Sequence, residues 1–115
     1  MTPSLVSGNS YRTGRCRLVI QSGPAAGTVF PLLGQPVLIG RLASNDLTLN
    51  ERQVSRVHAR LFVRGRRYCI EDTESRLGTW VNGRSISRPT PLEAGDEILI
   101  GSVLLYFWQD QPIEN

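Results

Sequence analysis

Turn-forming residues recur every eight to twelve positions along this chain, and the apolar residues between them come only in short runs. Gly23-Pro24, Ser44-Asn45-Asp46, Arg64-Gly65-Arg66, Asn82-Gly83 and Gly101-Ser102 all act as such breaks. No window sustains an apolar period of three to four residues, so helix is excluded for most of the sequence. What replaces it is alternation. Cys16, Leu18 and Ile20 share one face, Ala59, Leu61 and Val63 oppose His58, Arg60 and Phe62, and Tyr68, Ile70 and Asp72 share a face on the return strand. Residues 28–33, 36–40, 47–49, 79–81, 84–86, 97–100 and 103–108 supply further strand candidates. Asn82-Gly83 is the strongest short signal for a two-residue hairpin turn. About ten short strands with no helical pattern predict an all-β sandwich or barrel, largely an antiparallel meander.

At 115 residues the chain fits one domain that buries roughly 65% of its unfolded surface, enough for a self-standing core. Residues 1–14 mix Ser, Thr, Gly, Asn and Pro and read as a flexible arm, with order expected over 15–109 and a short tail at 110–115. Thirteen basic and ten acidic residues leave 13 − 10 = +3, and every basic residue is arginine. A guanidinium offers a planar fork that matches phosphate and carboxylate oxygens, whereas a charge of +3 is too small to argue for nucleic acid. The group Arg60, Arg64, Arg66 and Arg67 flanks a hairpin turn and reads as a solvated face. Cys16 and Cys69 lie in apolar segments and are expected to be reduced. With His58 the sole histidine, no set of metal ligands assembles, and neither metal nor cofactor is expected. The N-terminus lacks a basic and apolar leader, and the longest apolar stretch is broken by Gly101-Ser102, so a cytoplasmic protein without a membrane partner is expected.

Functional residues gather where strands should end: Gly40-Arg41, then Ser55-Arg56-Val57-His58, then Gly78-Thr79-Trp80-Val81-Asn82-Gly83. Arginines, hydroxyls and tight-turn residues on the loops of a rigid sheet are what an anion site needs. A phosphothreonine carries about −1.5 to −2 charges and three acceptor oxygens, so its receptor requires fixed cationic and hydroxyl donors on neighbouring loops.

Those motifs, with Leu-x-x-Gly95-Asp96 before the last hairpin, make the chain resemble a forkhead-associated (FHA) domain over residues 15–107. Four such markers in order are quite specific. The resemblance implies a SMAD/FHA-like sandwich of about eleven short, mainly antiparallel strands in two twisted sheets, binding phosphothreonine peptides or proteins without catalysis. It implies that Arg41 reaches the phosphate and that Ser55 and Arg56 complete its cradle. His58 holds the serine segment in place, while Thr79 and Asn82 join the peptide-binding set or brace its loops. Gly40, Gly78 and Gly83 are scaffold, with Gly40 and Gly83 supplying backbone freedom.

One position departs from the family pattern. Where an asparagine amide usually grips the peptide backbone, this chain has Leu77. The loss of one or two hydrogen bonds there costs on the order of 1–3 kcal/mol, roughly 5- to 150-fold in affinity. Arg76, just before it, reads either as a third cation for the phosphate or as an exposed arginine paired with Glu74. Two other functions fit the same residues. A hydrolase would need Ser55, His58 and Asp72 as a triad, with no nucleophile elbow to support it. A phosphate-independent interaction or oligomerisation module would use Leu77 in an apolar contact; otherwise the protein is expected to be a monomer.

Overall fold

The alternation resolves into eleven strands: β1 (Cys16–Ile20), β2 (Val29–Leu32), β3 (Val37–Gly40), β4 (Leu47–Thr48), β5 (Ala59–Arg64), β6 (Arg67–Asp72), β7 (Thr79–Val81), β8 (Arg84–Ser85), β9 (Thr90–Pro91), β10 (Glu97–Ile100) and β11 (Val103–Gln109). The computed structural model describes residues 15–110. The expected arm at 1–14, and the expected tail beyond residue 110, lie outside the described residues. No helix occurs among the described residues.

The strands form two sheets, ordered β2-β1-β11-β10-β7-β8 and β4-β3-β5-β6-β9. Pairing is antiparallel except between β3 and β4, which run parallel. Strand β9 has no signature in the sequence pattern. Two residues, one of them proline, show no alternation, and pairing with β6 alone makes them a strand. The Asn82-Gly83 turn forms as expected between paired Val81 and Arg84, with φ of 52° and 81° at its two positions.

Inward residues from both sheets form one core, with Leu18, Ile39, Leu61, Ile70, Ile100 and Leu105 fully buried. Tyr68 from β6 meets Phe107 from β11 across the two sheets, ring centroids 5.9 Å apart and tilted by 57°. Such a pair contributes about 0.5–1.5 kcal/mol beyond its buried area. The Tyr68 hydroxyl accepts the Gly34 N–H at 2.6 Å. Burial nevertheless pushes its pKa up.

Register also fixes which loops share an end. Ile100 pairs with Thr79 and Ile98 with Val81, so the β10–β11 turn lies at the Gly78 end of β7. Asn82 and Gly83 occupy the opposite end.

Candidate functional site

Three loops meet at the Gly78 end: β3–β4 carrying Arg41, β4–β5 carrying Ser55 and Arg56, and β6–β7 carrying Arg76. Backbone bonds stitch the first two. The Arg41 N–H donates to the Ser55 carbonyl at 3.0 Å and the Leu42 N–H to the Arg56 carbonyl at 3.2 Å. Buried Asn45 adds a staple, its amide donating to the carbonyls of Leu42 at 2.9 Å and Arg56 at 2.8 Å. Gly40 lets these segments close. A Cβ there would lie 2.3 Å from the Arg56 carbonyl oxygen and 2.8 Å from Asn45 Nδ2. Room, rather than the backbone freedom expected from sequence, is therefore the reason for this glycine, since its φ is not positive.

His58 ties the second loop to the third. The ring is fully buried; Nδ1 accepts the Ser55 N–H at 3.0 Å and Nε2 lies 2.9 Å from the Gly78 carbonyl. An acceptor at Nδ1 requires the proton on Nε2, where it is donated to that carbonyl. The ring thereby links the Ser55 backbone to the Gly78 backbone. Both ring nitrogens are engaged by backbone, and Asp72 is bonded to Ser75 and Thr79 instead of His58, so Ser55, His58 and Asp72 do not assemble as a triad.

The third loop is shaped by Asp72. Its carboxylate accepts the Ser75 hydroxyl at 2.5 Å, the Ser75 N–H at 3.0 Å and the Thr79 hydroxyl at 2.7 Å. The Ser75 hydroxyl in turn accepts the Gly78 N–H at 2.8 Å. Burial raises the Asp72 pKa, but these bonds to the ionised form outweigh it and leave the carboxyl below its ordinary value. Glu74 and Gly78 take left-handed φ of 62° and 83° around this turn. The β10–β11 turn supports the ensemble from beneath: Gly101 approaches the Gln53 carbonyl so closely that a Cβ would sit 2.5 Å from its oxygen.

Within this frame the donors are deployed as follows. Arg41 Nε donates to the Val54 carbonyl at 3.0 Å, which anchors the side chain and leaves its terminal nitrogens available. Ser55 Oγ accepts the Arg76 N–H at 2.9 Å, which leaves the hydroxyl proton to be given elsewhere. Arg56 and Arg76 are exposed, and neither belongs to the ion pairs found among the described residues. The alternative pairing of Arg76 with Glu74 does not form.

Thr79 and Asn82, expected to join the peptide-binding set or brace its loops, both bond within the fold. Thr79 is fully buried with its hydroxyl on Asp72, so it holds the loop and is not exposed to a peptide. Asn82 sits one strand length away, about 10 Å along β7. Its amide donates to Asp96 Oδ1 and accepts the Glu97 N–H, both at 2.9 Å, fixing the turn before β10. The sequence marks Asn45 only as a turn former and gives Ser75 no role, although Asp72-x-x-Ser75 has the spacing of a side-chain-closed turn.

The arginines on the second sheet are largely committed. Arg60 pairs with Glu71 at 2.7 Å, Arg67 with Glu93 at 3.4 Å, and Arg60 and Arg64 lie over the Phe62 ring.

Fold and loops together define a two-sheet β-sandwich with an arginine- and serine-lined loop cluster at one end. The FHA domain family matches residues 37–101, and the chain belongs to that family. It is 33% identical over 102 residues to the FHA domain-containing protein FhaB of Mycolicibacterium smegmatis, covering 89% of this chain and 66% of that protein. It spans just under two thirds of the length of FhaB and of several other curated relatives. Among solved structures it is similar to Mycobacterium tuberculosis EmbR in complex with a low-affinity phosphopeptide, with TM-score 0.77, 30% identity, and coverage of 89% of this chain and 26% of that one. An FHA domain solved in a study of phosphothreonine-dependent FHA domain interactions gives TM-score 0.77 at 25% identity, covering 84% of this chain and 98% of that one.

Proposed function

We propose that residues 15–109 form a non-catalytic reader of threonine-phosphorylated proteins, with Arg41, Ser55, Arg56 and Arg76 binding the phosphate. One observation carries the reading: Ser55 is held with its hydroxyl proton free, between the backbone-anchored Arg41 and two exposed arginines that join none of the ion pairs among the described residues. Charge-assisted donors of this kind match a phosphate of about −2 charge. The phosphopeptide-bound EmbR and the phosphothreonine-dependent FHA domain support it by likeness.

Leu77 lowers the affinity. Without an amide to grip the peptide backbone, binding falls in the micromolar range, about −7 to −8 kcal/mol. The protein works in the cytoplasm as a monomer, free of nucleic acid and membrane. Among the described residues no helix is long and apolar enough to cross a membrane.

Fluorescence polarisation with phosphothreonine, phosphoserine and unphosphorylated versions of one peptide tests this directly. Phosphothreonine should bind best, and Arg41→Ala should weaken it at least tenfold. Equal binding of all three peptides, unchanged in Arg41→Ala, would instead establish a phosphate-independent interaction module.

A further inference from the structure

Each arginine of the proposed cradle is followed by an exposed apolar residue: Leu42 is 40% exposed, Val57 38% and Leu77 46%. Apolar side chains beside an anion site do nothing for the anion. Leu77 does not end at its own loop, because Trp80 Nε1 donates to the Leu77 carbonyl at 3.3 Å and also lies 3.6 Å from the position of a Cβ on Gly78. The indole therefore lies back along the β6–β7 loop and joins it to the sheet.

Trp80, 37% exposed, is the outward residue of β7. It pairs with Leu99, which pairs with Leu104, and both of these also point outward between buried neighbours. The result is an apolar row across β7, β10 and β11, about 10 Å wide, whose first member, Trp80, is bonded to the carbonyl of Leu77, the residue after Arg76. Beyond Leu104 the same sheet face opens into a cleft of about 410 Å³ lined in part by Val19, Gln21, Tyr106 and Trp108.

We infer that the phosphorylated partner lays the segment next to its phosphothreonine on this row, with large apolar side chains against Leu77, Trp80, Leu99 and Leu104. The inference rests on the phosphothreonine reading above, and continuity with the cradle identifies the occupant. A segment anchored at Arg41 and Arg76 by its phosphate meets Leu77 within the next residue or two, at a spacing of roughly 3.3–3.6 Å per extended residue. The partner recovers by apolar burial part of what the missing amide withholds.

The test is a phosphothreonine peptide series in which leucine replaces alanine at each flanking position in turn, measured by fluorescence polarisation. Leucine at one or more positions should tighten binding about tenfold, as expected from burying roughly 60 Å² of apolar surface. The double variant Leu77→Ser with Trp80→Thr should lose that gain while keeping its preference for phosphorylated over unphosphorylated peptide, and Trp80→Tyr should keep most of the gain. Thermal unfolding establishes that each variant is folded. In Trp108→Phe, Trp80 is the sole tryptophan, and its emission should shift to the blue with the leucine peptide but not with the all-alanine one. A phosphopeptide that binds with no leucine preference, or a preference unchanged in the double variant, overturns the apolar row and leaves the phosphate reading standing. Leucine-dependent binding that ignores both dephosphorylation and Arg41→Ala overturns the shared partner segment, leaving the row as a contact of its own.

Discussion

Gly40 and Gly83 looked alike in the sequence, each a glycine beside a functional residue, yet they answer to different physics. At Gly40 a side chain would collide with the Arg56 carbonyl and Asn45, two groups that cannot withdraw without parting the Arg41 and Ser55 loops. At Gly83 there is open space, and only the left-handed φ of 81° resists substitution. Gly40→Ala should therefore cost about 1–3 kcal/mol through forced backbone displacement. Gly83→Ala should cost about 1–2 kcal/mol through strain alone. Urea unfolding separates these only partly, and binding separates them clearly. Gly40→Ala should weaken phosphopeptide binding, whereas Gly83→Ala, at the far end of β7, should leave it unchanged. Equal losses of affinity in the two variants would mean that the turn at Asn82-Gly83 is coupled to the cradle.

At the scale of an element, the β6–β7 loop is the part most dependent on one ionisation. The Asp72 carboxylate receives bonds from Ser75 and Thr79 that favour its charged form, so its folded pKa lies below the unfolded value. A depressed acid contributes fully above the unfolded value of about 4 and loses its contribution as pH falls through the folded value. The wild-type chain should lose stability on acidification in that window, and Asp72→Asn should be less stable by about 1–3 kcal/mol at pH 7 with a flatter acid limb. Chemical denaturation at a series of pH values reads both, and an unchanged acid limb would assign the effect to another carboxyl. This loop also marks where the sequence stopped being informative. Gly-Arg, Ser-x-x-His and Asn-Gly were legible because their chemistry is local, as was the alternation of the longer strands. The roles of Asp72, Thr79 and Asn45 depend on partners brought close only by folding. His58 reaches Gly78 across 20 residues, and Asn82 faces Asp96 across 14. Motif resemblance placed Thr79 and Asn82 beside the peptide; burial against Asp72 withdraws Thr79 at the same end, and strand register sets Asn82 at the other.

For the whole molecule, the open question raised by two sheets is what protects their four edges, β2, β8, β4 and β9. Three of these strands are only two residues long. The fourth, β2, is longer and carries Pro31. In β1, the Ile20 N–H points toward β2, so alternation turns Arg17 away and leaves its partner Pro31 with its nitrogen facing outward. The same holds on the other sheet, where Leu92 donates inward to the Tyr68 carbonyl and adjacent Pro91 therefore faces out. A missing N–H at each outward position withholds the donor that a second chain would need for edge pairing. The protein should sediment as a single chain at concentrations of tens of micromolar, and Pro31→Thr, which restores a donor on β2, should raise its tendency to associate. Dimerisation of the unmodified chain that persists when Trp80→Thr removes the apolar face would show that an edge pairs despite its prolines.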